Sequence, residues 1–181
     1  MVGINGNEKA NPFYVNTWSF AENAGLYVIV GYENEDNAIW LENLMSNLGL
    51  HGVGGKKSSG LGKFEIEDII FLSDAYSEGL KALQKLLLTE GQWQMTLSCA
   101  LPQDKELVAA LDGAAYQILK RGGFVASDTY AVEQRKHRNL YVLGAGSCFK
   151  NKFCGDIYDA AIGGNHPIYR YAKPLFMGVN V

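Results

Sequence analysis

Apolar residues recur along the chain at two spacings, one typical of strands and one of helices. The continuous apolar run at residues 25–31 predicts a strand buried on both faces, and residues 13–18 predict a short aromatic strand. Alternation of apolar and polar residues predicts strands at residues 63–70 and 93–99. Residues 124–127 and 140–149 are two further strand candidates.

Helical spacing of apolar residues predicts three helices. The first follows the acidic stretch 33–37, and Gly49 is expected to end it. The second has an apolar stripe from Tyr76 to Leu87, and the third begins near Pro102 and stops at Gly122. Without the second helix and the flanking hairpins, the element order is strand, helix, strand, strand, helix, strand.

That order predicts the α+β class, with a ferredoxin-like (RRM-like) domain that carries an inserted helix and hairpins. We expect this domain at residues 24–181, with a glycine-rich loop at 52–62. Residues 1–23 are expected to form an N-terminal extension with a short strand. The fold by itself implies no function.

Composition narrows the class of protein. The chain has 181 residues, 48% of them hydrophobic and 19% charged, which is ordinary globular usage. No apolar run approaches the roughly 18 residues of a membrane helix, and residues 1–11 lack the layout of a signal peptide. Three cysteines favour reduced thiols, so we expect a cytoplasmic protein with no membrane partner.

Charge is unevenly distributed around a net value of −3. Residues 1–50 contain one basic and six acidic side chains, and residues 51–113 contain six and nine. Residues 114–181 contain nine basic and four acidic side chains, so this third is positive. The asymmetry indicates two faces with different partners, or else a chance division of a mixed surface.

The loop at 52–62 combines glycines with two lysines and two serines. Glycines let a backbone approach a ligand closely, and lysines attract phosphates. The loop is no Walker motif, because Leu61 stands where that motif requires lysine. A backbone-contacting loop is favoured over a flexible connection.

Catalytic and metal-binding patterns are weak. His51, His137 and His166 lack metal-ligand spacing with the cysteines, so neither a metal nor a cofactor is expected. No catalytic residue is assigned, since no acid, base and stabiliser cluster is evident. The run 135–138 holds the densest positive charge, either as a solvated hairpin tip or as a phosphate contact.

Several short motifs together resemble one known family. They lie at residues 11–20, 24–29, 52–64, 97–102, 121–127, 146–149 and 166–171. This ordered set resembles the C-terminal half of the fourth Csm subunit of type III-A CRISPR effector complexes, a family of RAMP proteins. The resemblance covers nearly all of the chain, and the ordered set is more specific than the glycine loop alone.

The resemblance implies a non-catalytic, RNA-binding subunit that serves antiviral defence. Family members have two ferredoxin-like domains and hold the 5′ repeat-derived tag of the CRISPR RNA. They also dock on the large multidomain subunit and on the adjoining backbone RAMP subunit of the Csm complex. Because members are generally longer, an N-terminal half missing from this chain is a further candidate partner.

RNA-binding candidates follow from the resemblance and from the basic residues. Tyr169 and Tyr171 could stack on bases or pack in the interior, and packing is favoured. The candidates are Gly54, Gly55, Lys56, Lys57, Ser58, Ser59, Gly60, Gly62, Arg121, Arg135, Lys136, Arg138, His166 and Arg170.

Two other functions remain open from the sequence. One is a RAMP-type metal-independent endoribonuclease that processes CRISPR RNA, with His51 or His137 in acid–base roles. We disfavour it because neither histidine has an evident orienting partner. The other is a pure protein-interaction module whose RNA is held by a different domain.

Overall fold

The computed structural model describes the backbone of residues 2–3 and 11–12 and all atoms of residues 14–180. Contacts divide the chain into two compact units, Met1–Glu42 and Asn43–Val181. The elements in chain order are β1 (Val2–Gly3), β2 (Asn11–Pro12), α1 (Glu35–His51), α2 (Glu78–Leu88), β3 (Trp93–Thr96), α3 (Leu107–Leu111), β4 (Ile118–Arg121), β5 (Leu140–Leu143), β6 (Cys148–Phe149), β7 (Ile157–Asp159), β8 (Tyr169–Tyr171) and β9 (Phe176–Val179).

The described part of the first unit contains few regular elements. β1 pairs antiparallel with β2. Residues 14–34 include neither helix nor strand, so the strand predicted at 25–31 is wrong, as is the described part of the one at 13–18. Phe13 lies outside the described residues. A strand buried on both faces needs a neighbour at each edge, and this run has no strand partner in the described unit.

Helix α1 confirms the first helix but ends later than expected. Its start is capped by Asn34, whose Oδ1 accepts a hydrogen bond from the backbone N of Asn37 at 2.9 Å. It continues past Gly49 to His51 and stops where Gly52 adopts φ +81°. Gly49 is instead a close-packing position, since a Cβ there would overlap the carbonyl oxygen of Phe64.

Residues 63–71 contain no strand, which corrects the prediction for residues 63–70. Their alternation is real, but a strand also needs a hydrogen-bonded neighbour. Ile66, Ile69 and Ile70 are 36–44% exposed. The second helix is confirmed as α2, where the Oγ of Ser77 accepts from the backbone N of Leu80 at 3.2 Å.

A three-stranded antiparallel sheet organises the second unit. β3 confirms the strand predicted at 93–99 but ends at Thr96, and it lies between β6 and β9, with α2 packed against β9. Three rings meet edge to face beside this sheet: Phe149 and Phe153 at 5.2 Å, Phe153 and Phe176 at 5.2 Å, and Phe149 and Phe176 at 6.1 Å. Phe149 is fully buried, in a core that also includes Ala100, Ala110 and Leu143.

The predicted third helix is mostly wrong. Only α3 is helical, and Gly113 follows it with φ +60°. Residues 118–121 form β4, which pairs antiparallel with β5, so the apparent helical spacing at Ile118 was fortuitous. The strand predicted at 140–149 is divided into β5 and β6 by a turn in which Gly146 has φ +86°. Residues 124–127 contribute one bridge, from Phe124 to Lys136.

The remaining pair, β7 with β8, is antiparallel as well. Helices together with antiparallel strands confirm the α+β class. The ferredoxin-like arrangement and the domain boundary between residues 23 and 24 stay predictions.

A carboxylate fixes the loop that follows Phe153. The Oε1 of Glu106 accepts from the backbone N of Cys154 at 3.0 Å, and its Oε2 accepts from the backbone N of Gln103 at 3.0 Å and of Gly155 at 3.2 Å. The Cys154 hydrogen bond is the main cause of the lowered pKa of Glu106, since each of these bonds favours the ionised form.

We expect Glu106→Gln to lower the free energy of unfolding at about pH 7 and to match wild type in acid. A carboxylate whose pKa is lowered by folding stabilises the folded state at pH values above its unfolded pKa of 4.5. That stabilisation is lost as the pH falls through the folded pKa. Urea unfolding across this range measures the difference, with the exposed Glu133→Gln as control. An equal loss at every pH would contradict the carboxylate's role.

Candidate nucleic-acid interface

The glycine loop has a defined closed conformation. At its base, the backbone N of Val53 donates to the carbonyl oxygen of Gly62 at 2.8 Å. A Cβ at Gly62 would overlap the Val53 oxygen, so this closure requires glycine. A turn of 3₁₀ helix, Lys57–Ser59, forms the outer part of the loop. The loop therefore has a defined shape, and its contact with a ligand backbone stays a prediction.

Exposed polar groups cover this loop. Lys56, Lys57, Ser58 and Ser59 are all exposed. Lys56 has φ +59°, a left-handed conformation in a residue other than glycine. Gly60 is also left-handed, with φ +82°. The outer face thus presents two ammonium groups and two hydroxyls beside a close-turning backbone, which is chemistry suited to phosphate oxygens.

A second surface is formed by the run 135–138, which pairs with residues 123–125. The backbone N of Val125 donates to the Arg135 carbonyl at 2.8 Å, and that of His137 donates to the Gly123 carbonyl at 3.1 Å. Arg135, Lys136 and Arg138 are exposed. The Lys136 ammonium lies 5.2 Å from the centre of the Phe124 ring. The run is thus a structured hairpin edge with outward cations.

His137 differs from its neighbours in this run because it is buried, at 5% exposure. Its Nδ1 lies 2.8 Å from the Arg138 carbonyl oxygen, which assigns the ring proton to Nδ1. Its Nε2 then accepts from Nη2 of Arg170 at 2.7 Å. The expectation that His137 lacks an orienting partner is wrong.

His166 belongs to an adjoining cluster of loops. Its Nδ1 lies 2.9 Å from the Pro167 carbonyl oxygen, so its Nε2 accepts from the Ser127 hydroxyl at 2.8 Å. Its ring meets the buried Tyr130 ring edge to face at 5.2 Å. The Tyr130 hydroxyl accepts from the backbone N of Ile162 at 2.7 Å. These contacts fix residues 127–130 against residues 162–167.

The structure brings together one group of the predicted residues. Arg135 donates from Nη1 to the Gly163 carbonyl at 3.1 Å, and the backbone N of Arg138 donates to the Ala160 carbonyl at 2.7 Å. Together with His166 and Arg170, they form what we call the basic cluster, which also includes Lys136. Arg121 lies on β4, paired with Leu140, and its Nη2 is 3.3 Å from the Cys99 sulfur. The glycine loop lies on another segment.

Tyr169 and Tyr171 correct a preference drawn from the sequence. Packing was favoured, yet these side chains are 66% and 71% exposed. The alternation Tyr-Arg-Tyr indicated that both tyrosines share one face of a strand, because alternate residues of a strand point to the same side. It could not indicate which face was exposed.

Comparison with known proteins settles the family. Residues 89–179 match the model described as the CRISPR Csm4 C-terminal domain. The chain belongs to the Csm4 family. This confirms the resemblance seen in the sequence motifs.

Relatives named CRISPR system Cms protein Csm4 align along this Csm4-family chain. The one from Mycobacterium tuberculosis is 40% identical over 176 residues, covering 97% of this chain and 54% of the relative. The one from Streptococcus thermophilus is 34% identical over the same length, with the same two coverages. The one from Methanocaldococcus jannaschii is 26% identical, covering 99% and 50%. The chain therefore spans about half the length of the curated relatives it matches.

A solved structure supports the Csm4 fold. It is the crystal structure of a Csm3–Csm4 subcomplex in the type III-A CRISPR-Cas interference complex. The superposition has a TM-score of 0.52 at 21% identity and covers 83% of this chain and 42% of that chain. This likeness supports the α+β architecture alone.

Two further observations concern metals and membranes in this Csm4 member. Within the described ranges, no group of three or more histidine, cysteine, aspartate or glutamate side chains could hold a metal ion. None of the helices that the structure describes is long and apolar enough to cross a membrane.

Gly60 and Gly55 make a matched pair for testing the loop conformation. Both have open space where a Cβ would stand, but Gly60 has a positive φ and Gly55 does not. We expect Gly60→Val to lower the free energy of unfolding by about 1–2 kcal/mol, the usual left-handed penalty. Gly55→Val should change it by less than about 0.5 kcal/mol. Equal losses in denaturant titrations would exclude backbone strain as the cause.

Proposed function

We propose that this chain is a non-catalytic RNA-binding part of a type III-A CRISPR-Cas effector complex that acts in the cytoplasm. It holds the 5′ repeat-derived tag of the CRISPR RNA and docks on the large multidomain subunit and the backbone RAMP subunit. Its architecture is the ferredoxin-like RAMP domain. The observation that carries the proposal is the group of exposed cations Arg135, Lys136 and Arg138 within the basic cluster, in a Csm4-family chain whose net charge is −3.

Electrostatics favours RNA as the ligand of the glycine loop and of the basic cluster. Cations near a polyanion release its counterions, which supplies sequence-independent affinity. In the glycine loop, Lys56 and Lys57 are exposed beside two serine hydroxyls. Arginines of the basic cluster add planar donors that suit phosphate oxygens. Both surfaces therefore fit a single-stranded RNA backbone.

The endoribonuclease alternative finds less support. Acid–base catalysis on a 2′-hydroxyl needs an imidazole nitrogen within hydrogen-bond reach of substrate. His137 is buried, and both of its ring nitrogens are engaged. His51 is exposed at the end of α1, and no hydrogen bond or ion pair orients its ring within residues 14–180. A positioning role for His137 fits these contacts better.

The first test replaces Lys56 and Lys57 by alanine and titrates single-stranded RNA that carries the tag. We expect weaker binding and a log–log salt slope reduced by roughly 0.7 for each lost phosphate contact. Lys81→Ala with Lys85→Ala is the control, because it removes equal charge from two exposed positions on α2. Unchanged affinity and slope would contradict the loop's role.

The same incubation addresses the alternative function. RNA recovered intact from wild type without added metal is the expected result. Cleavage lost on His51→Ala or His137→Ala would favour the endoribonuclease instead.

Protein docking is supported by apolar residues in the first unit. Leu26, Tyr27, Val28 and Val30 are 43–89% exposed in a single run of five residues. Contiguous exposed apolar groups mark interaction sites more often than isolated ones do. Because the chain spans about half of its relatives, we propose that this run docks on the other half of a family-length protein.

Changing Leu26 and Val28 to serine tests this docking. Each apolar side chain buried in an interface contributes about 1.5–3 kcal/mol, so co-purification with a partner half should weaken by more than about tenfold. The partner is the half of the Mycobacterium tuberculosis relative that this chain does not match. Val108→Ser, at a site 85% exposed on α3, is the control. Undiminished co-purification would refute the docking site.

A further inference from the structure

The two-stranded sheet of β7 and β8 has two unlike faces. Its register pairs Tyr158 with Arg170, Ile157 with Tyr171, and Asp159 with Tyr169. Directly opposed residues share a face, and neighbours along a strand alternate. Tyr158 and Arg170 therefore occupy one face, and the remaining residues occupy the other.

The face of Tyr158 and Arg170 is fastened to the rest of the second unit. The Tyr158 hydroxyl donates to the Pro102 carbonyl at 2.7 Å and lies 3.2 Å from the Leu101 carbonyl. Burial, followed by nearby acidic charges, raises the pKa of this hydroxyl. Arg170 reaches the buried His137 at 2.7 Å. Each strand thus has one anchor on its inner side.

The opposite face presents two phenol rings to solvent. Tyr169 and Tyr171 are 66% and 71% exposed, and Ile157 beside them is 47% exposed. Across the described residues, neither phenol takes part in a hydrogen bond or ring contact. Two positions along a strand are about 6.7 Å apart. The rings are therefore neighbours on a fixed strand and are open on one side.

Charge around this face favours a polyanion. The basic run 135–138 reaches the end of β7, where the backbone N of Arg138 donates to the Ala160 carbonyl. The one acidic group of the face is Asp159. Its Oδ1 accepts from the backbone N of Ile168 at 2.8 Å and of Ala161 at 2.9 Å. These bonds, that from Ile168 first, lower its pKa, so the carboxylate serves the turn between the strands.

We propose that Tyr169 and Tyr171 form a base-stacking platform for single-stranded RNA, whose phosphates contact the neighbouring Arg135, Lys136 and Arg138. This inference rests on the proposed function and takes up, for these two residues, the base stacking that the sequence left open beside packing. Bases turned out from a single strand stack on aromatic rings regardless of sequence. Anchoring by Tyr158 and Arg170 keeps the rings in place before RNA arrives, which reduces the ordering cost of binding.

Stacking can be separated from phosphate contact with two oligonucleotides. One is a short oligoadenylate, and the other is an abasic ribose-phosphate chain of equal length. We expect the double variant Tyr169→Ser, Tyr171→Ser to bind oligoadenylate at least about tenfold more weakly than wild type, with an unchanged salt slope. Its affinity for the abasic chain should equal that of wild type, since that chain has no base to stack.

Two controls isolate the rings. The double variant Tyr169→Phe, Tyr171→Phe retains both aromatic faces and should bind oligoadenylate like wild type. Tyr76→Ser removes a tyrosine that is 73% exposed elsewhere and should have no effect. Thermal unfolding of every variant checks that the fold is retained, and surface changes of this kind shift stability by less than about 0.5 kcal/mol.

The outcomes distinguish the platform from the proposed function. If wild type binds oligoadenylate and the serine variant binds it equally well, the platform is refuted while RNA binding stands. Equal weakening toward both oligonucleotides would also refute it, because bases would then be irrelevant. If the serine variant instead loses only a protein partner, the face is a protein interface. If wild type binds neither oligonucleotide, the proposed function and the platform fail together.

Discussion

Edge-to-face packing of Phe149, Phe153 and Phe176 is the contact on which the second unit depends most. β6 contributes only two residues to the sheet, too few for backbone hydrogen bonds alone to hold it against β3. The fully buried Phe149 ring gives that strand an apolar anchor, while Phe176 fastens β9 to the same point. Large aromatic groups of this kind contribute several kcal/mol through burial and ring geometry. Segments distant in sequence are thereby joined.

Side-chain hydrogen bonds hold the segments that contain few helices or strands. Glu106 fixes the loop after Phe153, and Asp159 fixes the turn between β7 and β8. The hydroxyls of Tyr130 and Tyr158 bond backbone groups of other segments. Backbone groups outside helices and sheets also need hydrogen-bond partners, and here carboxylates and phenols supply them. Loops that sequence patterns would describe as irregular are therefore held in defined positions.

The sequence predicted the elements whose signals are local. Helix α2 has its own cap at Ser77, and β3 has strict alternation, so both were found. The strands at 25–31 and 63–70 were wrong because strand formation depends on a partner segment, which a pattern within one segment cannot show. The third helix was wrong because apolar spacing near Ile118 suited a helix, whereas pairing with β5 decided the structure.

The sequence likewise predicted some features of the candidate site and missed others. Clustered cations in the run 135–138 were visible as composition, and three of its four residues are exposed. The buried position of His137 and its bond to Arg170 depend on contacts between distant segments, so no local signal indicated them. The exposure of Tyr169 and Tyr171 likewise depends on which segments pack against β8, and a pattern within β8 does not show this.

The exposed run from Leu26 to Val30 also affects the solubility of the newly synthesised chain. A short, uncharged apolar stretch with β-branched and aromatic residues is the composition that self-associates into intermolecular sheets. At high concentration, copies of this chain would associate with one another through that stretch before a different polypeptide covered it. Production alongside a covering polypeptide should therefore yield more dispersed protein than production alone, so solubility would depend on the order of assembly.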